Sequence, residues 1–185
     1  VGYCGGTTNN PTYYDIGDYS ETVQLDFDPT VISYEQLLEA FWSGHDTSYT
    51  PYSRQYRSVI FYSNEEQKEA AIKSKQREES RLGQPVFSDI EPLVKFYVAE
   101  DYHQKYYLRG SNLMSDISAI YPDPMDLMNS PAAAKLNGFM GGYGDQAFLQ
   151  KEIGKLGLSE AGKQRLLEIA SSGLTPGCPV VNTGK

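Results

Sequence analysis

The chain has 185 residues, a formal net charge of −8, 39% hydrophobic and 22% charged residues. That length suits one hydrophobic core with material to spare, and the composition is ordinary for a soluble globular chain. The acidic balance argues against nucleic acid or an anionic membrane as partner, because both demand a cationic footprint, and no apolar run approaches the roughly 20 residues that cross a bilayer.

In chain order, Val1-Gly2-Tyr3 reads as a strand running into the glycine turn Gly5-Gly6, with a turn-rich loop from there to Pro11. A chain that opens inside an element, on Val and without a basic-then-apolar leader, is expected to be a fragment or a processed product, with the cytoplasm as its compartment. Residues 21–27 alternate, placing Val23, Leu25 and Phe27 on one face, which predicts a half-buried strand. Ser33 followed by Gln36 has the capping-box pattern, and Tyr34, Leu37, Leu38, Phe41 and Trp42 form one apolar stripe on the helix it opens. Residues 57–62 predict a second strand. Ser63 or Asn64 then caps a long, mostly solvated helix ending near Leu82, with Gly83 at its exit. Residues 86–90 predict a further strand stopped by Pro92. Residues 96–98 read as an extended lead-in to a helix over 100–108.

The last third changes character. Pro122, Pro124 and Pro131 punctuate a loop-rich stretch, residues 145–156 and 159–171 predict a hairpin of two short helices, and residues 175–185 are expected to be irregular. Strand and helix alternate through the first hundred residues, which predicts one sheet with helices packed on it. The expected organisation is therefore an α+β domain over residues 1–110 followed by a loop-rich and helical extension over residues 111–185.

Chemistry-bearing residues are few. Cys4 and Cys178 lie at opposite ends and make no disulfide framework, so a reducing compartment and a redox-active pair both remain open. His45 and His103 show no metal-ligand spacing, which predicts structural hydrogen bonds. Gly5-Gly6 lacks the phosphate-loop and dinucleotide patterns and reads as a turn. Fifteen tyrosines could build a wall that is apolar yet able to donate to a small polar group. On the residues alone, Glu21 is a carboxylate at a strand start, and Tyr13, Tyr56 and Tyr106 are three packing tyrosines among many.

Several segments taken together carry more. They are Val1-Gly2-Tyr3-Cys4-Gly5-Gly6, Asn10-Pro11-Thr12-Tyr13, Tyr19-Ser20-Glu21, Asp26-Phe27-Asp28-Pro29 and Ile32-Ser33-Tyr34-Glu35-Gln36-Leu37-Leu38, followed by Phe41-Trp42 with His45-Asp46, Gln55-Tyr56-Arg57-Ser58, and Ala99-Glu100-Asp101-Tyr102-His103-Gln104-Lys105-Tyr106. In order and spacing this set resembles the A-type peptide methionine sulfoxide reductases. The resemblance implies a two-layer, ferredoxin-like sandwich with a mixed or antiparallel sheet. It implies an oxidoreductase that reduces methionine S-sulfoxide, protein-bound or free, by thiol chemistry. No metal and no organic cofactor is implied, and thioredoxin or a similar dithiol would be the reductant. Glu21 would serve as the acid, Tyr13 and Tyr56 would bind the sulfoxide oxygen, Tyr106 would form part of the site wall, and Cys178 would be a recycling thiol.

The same resemblance exposes departures. The family's Gly-Cys-Phe-Trp segment, which holds the nucleophilic cysteine, is not among the 185 residues, so the chain is expected to lack its first strand-helix unit and the nucleophile. Cys4 does not occupy that place and reads as a small strand-end residue. Pro51 stands where many members have a site-ordering Asp. A non-catalytic methionine-sulfoxide-binding paralogue is the rival reading, and a redox pair of Cys4 with Cys178 is a third.

Overall fold

The computed structural model describes residues 1–171, so Cys178 and the irregular segment expected over residues 175–185 lie outside the described residues. The chain forms two compact units, Val1–Glu100 and Asp101–Lys185.

The first unit carries five strands in two small sheets. Strand β1 (Gly2–Cys4) is the centre of an antiparallel sheet, flanked by β2 (Ser20–Thr22) and β5 (Phe96–Val98). Strands β3 (Val59–Tyr62) and β4 (Asp89–Pro92) pair in parallel and make a second sheet. The strands therefore divide between two sheets, where one sheet was expected. A parallel pair needs a long crossover, and helix α2 (Glu65–Leu82) supplies it.

Helix α1 (Tyr34–Ser43) begins where the sequence signals it. Ser33 Oγ accepts from the Gln36 amide and Gln36 Oε1 accepts from the Ser33 amide, closing a full capping box. Its stripe packs inward: Leu38 and Trp42 join Ile60, Ala71 and Val86 in one core between α1, α2 and β3. Burial of each large apolar side chain of this kind contributes about 1.5–3 kcal/mol. Trp42 Nε1 donates to Ser74 Oγ, so the one polar atom of the indole is satisfied inside that core. Asn64 caps α2, and the helix ends at Gly83 in the left-handed conformation, φ 68°, which glycine alone adopts without strain.

Several expectations for residues 1–110 are corrected. The strand expected over residues 21–27 stops at Thr22, and Val23 and Leu25 are 65% and 62% exposed. Its partner β1 opposes Thr22 with Gly2, and among the described residues no strand pairs with residues 23–27. The strand expected over residues 86–90 is displaced to β4. The Val86 side chain enters the helix core and the Phe87 amide donates to the Thr47 carbonyl, which keeps this stretch off β3. Pro92 belongs to β4 instead of stopping it. Asp89 and Leu93 donate to β3 at alternate positions, so the prolyl nitrogen falls on the other edge, where no donor is needed. The helix expected over 100–108 is broken: a 3-10 turn covers Asp101–His103, Lys105 takes a left-handed φ of 52°, and only α3 (Tyr106–Arg109) is helical.

The second unit is helical: α3, α4 (Met114–Ile120), α5 (Pro124–Asn129), α6 (Pro131–Met140), α7 (Gln146–Glu152) and α8 (Glu160–Ser171). Its core holds Leu108, Leu113, Ile117, Leu127, Leu136, Phe139, Leu149 and Leu166, all nearly inaccessible. The stretch expected to be loop-rich is helical. Pro124 and Pro131 open helices, each behind a capping side chain, Asp123 for α5 and Ser130 for α6. Proline suits the first helical turn because its missing N–H would have no partner there.

Candidate active site

The first unit gathers three of the residues singled out by sequence. Tyr3 of β1 lies directly opposite Glu21 of β2, so both side chains leave the sheet on one side. The buried Tyr3 hydroxyl donates to Glu100 Oε2 at 2.6 Å, and the other Glu100 oxygen accepts from the backbone amide of Tyr13 at 3.0 Å. Tyr13 itself sits on a tight turn closed by two reciprocal bonds between the Thr12 and Asp15 backbones. Asp18 anchors the same loop from its other end, accepting from the amides of Thr7 and Thr8 and from the Thr7 hydroxyl. Those bonds hold its carboxyl below the usual range, the Thr7 amide contributing most.

A 3-10 turn, Arg54–Tyr56, supplies the second tyrosine. It is fastened to β2 beside Glu21. Ser20 Oγ donates to the Arg54 carbonyl at 2.9 Å and accepts from Arg57 Nε at 2.8 Å. Arg54 donates from Nε to the Asp18 carbonyl and from its terminal nitrogen to the Gly5 carbonyl. Arg57 is paired in turn with Asp89 and with Glu91 on β4, and Glu91 holds the guanidinium pKa above its ordinary value. Gly5 has φ 75°, and a Cβ there would lie 2.7 Å from both Arg57 and Phe61, so glycine is what lets this brace close.

These two assemblies bring Tyr13, Glu21 and Tyr56 together. Tyr56 is hydrogen-bonded to Tyr13 and lies in the field of Glu21. Desolvation first, then the Tyr13 bond and the Glu21 charge, push its phenol up to about 12. The phenol is therefore a proton donor throughout the neutral range. Between Glu21 and Tyr56 stands a residue that sequence reading passed over. Gln55 Nε2 donates to Glu21 Oε1 at 2.7 Å and to the Tyr56 hydroxyl at 3.1 Å. Glu100 was likewise passed over as a support of the Tyr13 loop. Both residues lie inside the Gln55-Tyr56-Arg57-Ser58 and Ala99-Glu100-Asp101 segments, which was the available signal.

Glu21 and Tyr56 line a cleft of about 810 Å3 whose further walls include Leu25, Phe27, Phe41 and Phe61. A site of this kind joins proton donors at one edge to an apolar slot. Tyr106 opens α3 in the second unit and is 68% exposed. Cys4 has no exposed surface. Its thiol donates to the Lys95 carbonyl, and burial raises its pKa, so it holds little of the thiolate a nucleophile needs. His45 is structural: its ring nitrogens contact the Phe41 carbonyl and Ser58 Oγ. The His103 ring packs against the Tyr102 ring at a tilt of 46°.

A family model described as peptide methionine sulfoxide reductase matches residues 1–126. The chain belongs to that family. The reductases are oxidoreductases that act on methionine sulfoxide, and several relatives are close in sequence. A peptide methionine sulfoxide reductase of Drosophila melanogaster is 40% identical over 89% of this chain and 67% of its own length. One of Methanosarcina acetivorans is 44% identical over 58% of this chain and 63% of its own length. Among solved structures, reduced Mxr1 of Saccharomyces cerevisiae superposes with a TM-score of 0.55 and 28% identity, over 60% of this chain and 68% of that one. The chain thus spans about two thirds of the reductases it matches. The mixed α/β character of the first unit accords with that likeness. No helix among the described residues is long and apolar enough to cross a membrane.

Proposed function

We propose that Tyr13, Glu21 and Tyr56 form the oxygen-binding side of a peptide-methionine (S)-S-oxide reductase site. The observation that carries this reading is the convergence of Glu21 and Tyr56, linked through Gln55 at the edge of an apolar cleft, with Tyr13 hydrogen-bonded to Tyr56. A sulfoxide presents one strongly accepting oxygen on a sulfur that bears small apolar groups. Phenol donors suit the oxygen, and the cleft suits the thioether side chain.

In the reaction a cysteine thiolate forms a bond to the sulfoxide sulfur, and the S–O bond breaks. Glu21 supplies a proton to the departing oxygen, that oxygen then bonds to the cysteine sulfur, and the newly made S–S bond breaks, so that the substrate leaves as a thioether and the cysteine is left as a sulfenic acid. A second thiol then condenses with the sulfenic acid, releasing water and leaving a disulfide, which a dithiol of the thioredoxin class reduces. Cys178 is proposed as that second thiol. Tyr106 is proposed as part of the site wall. A cytoplasmic, reducing setting and substrates either free or within proteins complete the reading. The reductase domain is taken to cover residues 1–110, with the rest a helical extension. We infer as well that the two small sheets belong to one ferredoxin-like layout, because exposed Val23 and Leu25 face a cleft that Val59 and Phe61 also line.

The buried state of Cys4 favours a second reading for these 185 residues taken alone: a sulfoxide binder without turnover. One experiment separates the two. The chain is assayed alone and joined ahead of Val1 to a Gly-Cys-Phe-Trp segment, with the S and R epimers of a methionine sulfoxide peptide and excess dithiol. Reduction of the S epimer by the joined chain supports the enzyme. Binding of the S epimer with no turnover by either chain leaves the binder, and no preference for sulfoxide over methionine sinks both.

A further inference from the structure

We propose that Gln55 is the positioning residue of this site: its carboxamide holds Glu21 and Tyr56 as one hydrogen-bonded unit and decides which Glu21 oxygen faces the substrate. The inference rests on the reductase reading above and adds a residue to it.

The geometry is specific. A single nitrogen, Gln55 Nε2, has two hydrogens and serves two acceptors, Glu21 Oε1 and the Tyr56 hydroxyl oxygen. Occupying Oε1 with an N–H leaves Oε2 as the oxygen able to carry a transferable proton. Glu21 itself lines the cleft, the side from which a ligand oxygen would arrive. The second contact works in the same sense. An N–H delivered to the phenol oxygen occupies a Tyr56 lone pair, so the phenol proton must point elsewhere, toward Tyr13 or a bound oxygen. Gln55 thereby sets the direction of two proton donors with one amide.

The backbone makes the amide a fixed reference. Gln55 is the middle residue of the Arg54–Tyr56 turn, and the turn is bolted at Arg54 to Ser20, Asp18 and Gly5. Glu21 is the next residue after Ser20 on β2. Donor and acceptor are thus carried by two segments tied together one residue away from the contact, which is the arrangement that keeps a hydrogen bond from wandering.

The test needs no substitution at Gln55 for its first arm. In the 185-residue chain, the side-chain amide resonances of Gln55 are followed by NMR across the acid range, in wild type and in Glu21→Gln. The proposal expects the Gln55 amide shifts to follow the Glu21 carboxyl and to become flat in Glu21→Gln. Amide shifts already flat in wild type overturn it. In the second arm, binding of an N-acetyl methionine-(S)-sulfoxide amide is compared for wild type, Gln55→Met and Tyr56→Phe. Gln55→Met keeps the volume and removes both bonds, and a loss of affinity on the order of 10-fold is expected, with binding of the unoxidised methionine amide unchanged. Equal loss for both ligands makes Gln55 merely structural and overturns the proposal. A wild-type chain with no preference for the sulfoxide defeats the reductase reading, a result distinct from a failure of the titration arm.

Discussion

Arg57 Nε donates to Ser20 Oγ at 2.8 Å, and that bond ties the strand carrying Glu21 to the turn carrying Tyr56. The same guanidinium is held from its other side by Asp89 and Glu91. The edge that carries Glu21 and Tyr56 is therefore attached to both small sheets by a single side chain.

Removing that side chain is predicted to cost stability and function together. Arg57→Met leaves Glu91 and Ser20 without their donor and should destabilise the chain by about 2–4 kcal/mol in denaturant titration. The acid response checks the cause. Arg57 holds the Glu91 carboxyl below its ordinary pKa, so this pair contributes stability above the unfolded value of about 4.3 that is lost as pH falls through the lower folded value. The variant should lose that part of the acid-side decline. An unchanged acid limb would remove the pair from the account.

Glu21→Gln, in a chain joined to the cysteine-bearing segment, should lower kcat by a factor on the order of 10²–10⁴, the usual effect of deleting a general acid. The substitution keeps the size of the side chain, so the fold should persist by circular dichroism. Turnover at the wild-type rate would take Glu21 out of the mechanism.

The phenol of Tyr56 offers a direct spectroscopic check. Its pKa is pushed up to about 12 from an ordinary value of about 10. The sign follows from the raised value: the neutral phenol is favoured in the fold, so the contribution is complete below about pH 10 and is lost as pH rises through about 12. Titration by phenolate absorbance should show a late-ionising tyrosine that Tyr56→Phe abolishes. Tyr13→Phe removes a hydrogen bond that raises it and should bring the midpoint down.

Glu100 gives a local prediction. Its carboxylate takes the Tyr13 amide and the Tyr3 hydroxyl. Glu100→Ala should speed hydrogen exchange at the Tyr13 amide by roughly 10-fold or more, since a bond to a charged acceptor is worth about 1.5–3 kcal/mol. Unchanged protection of that amide would show that the loop is held by its own turn and by Asp18.

Cys4 should be inert. A thiol with no exposed surface and a raised pKa presents little thiolate to an alkylating reagent. Peptide mapping after iodoacetamide treatment should find Cys4 unmodified in the native chain and modified in denaturant. Native labelling of Cys4 would favour the redox-pair reading.

The sequence by itself determined those elements whose cause is local. The capping box at Ser33, the stripe on α1, the Asn64 cap and the left-handed exit at Gly83 all depend on residues within one or two helical turns, and each stands where its signature predicts. The family was legible for a related reason, because ordered short segments survive as letters. Only the tertiary structure decided the rest. Alternation over residues 21–27 speaks to a strand, yet a strand needs a partner, and β1 opposes it only as far as Thr22. The segment around Gln55 stood out in the letters, but its contact did not, because that contact is one amide meeting a carboxyl 34 residues away in the chain. Contacts of that kind arise from packing, which the order of residues specifies without displaying.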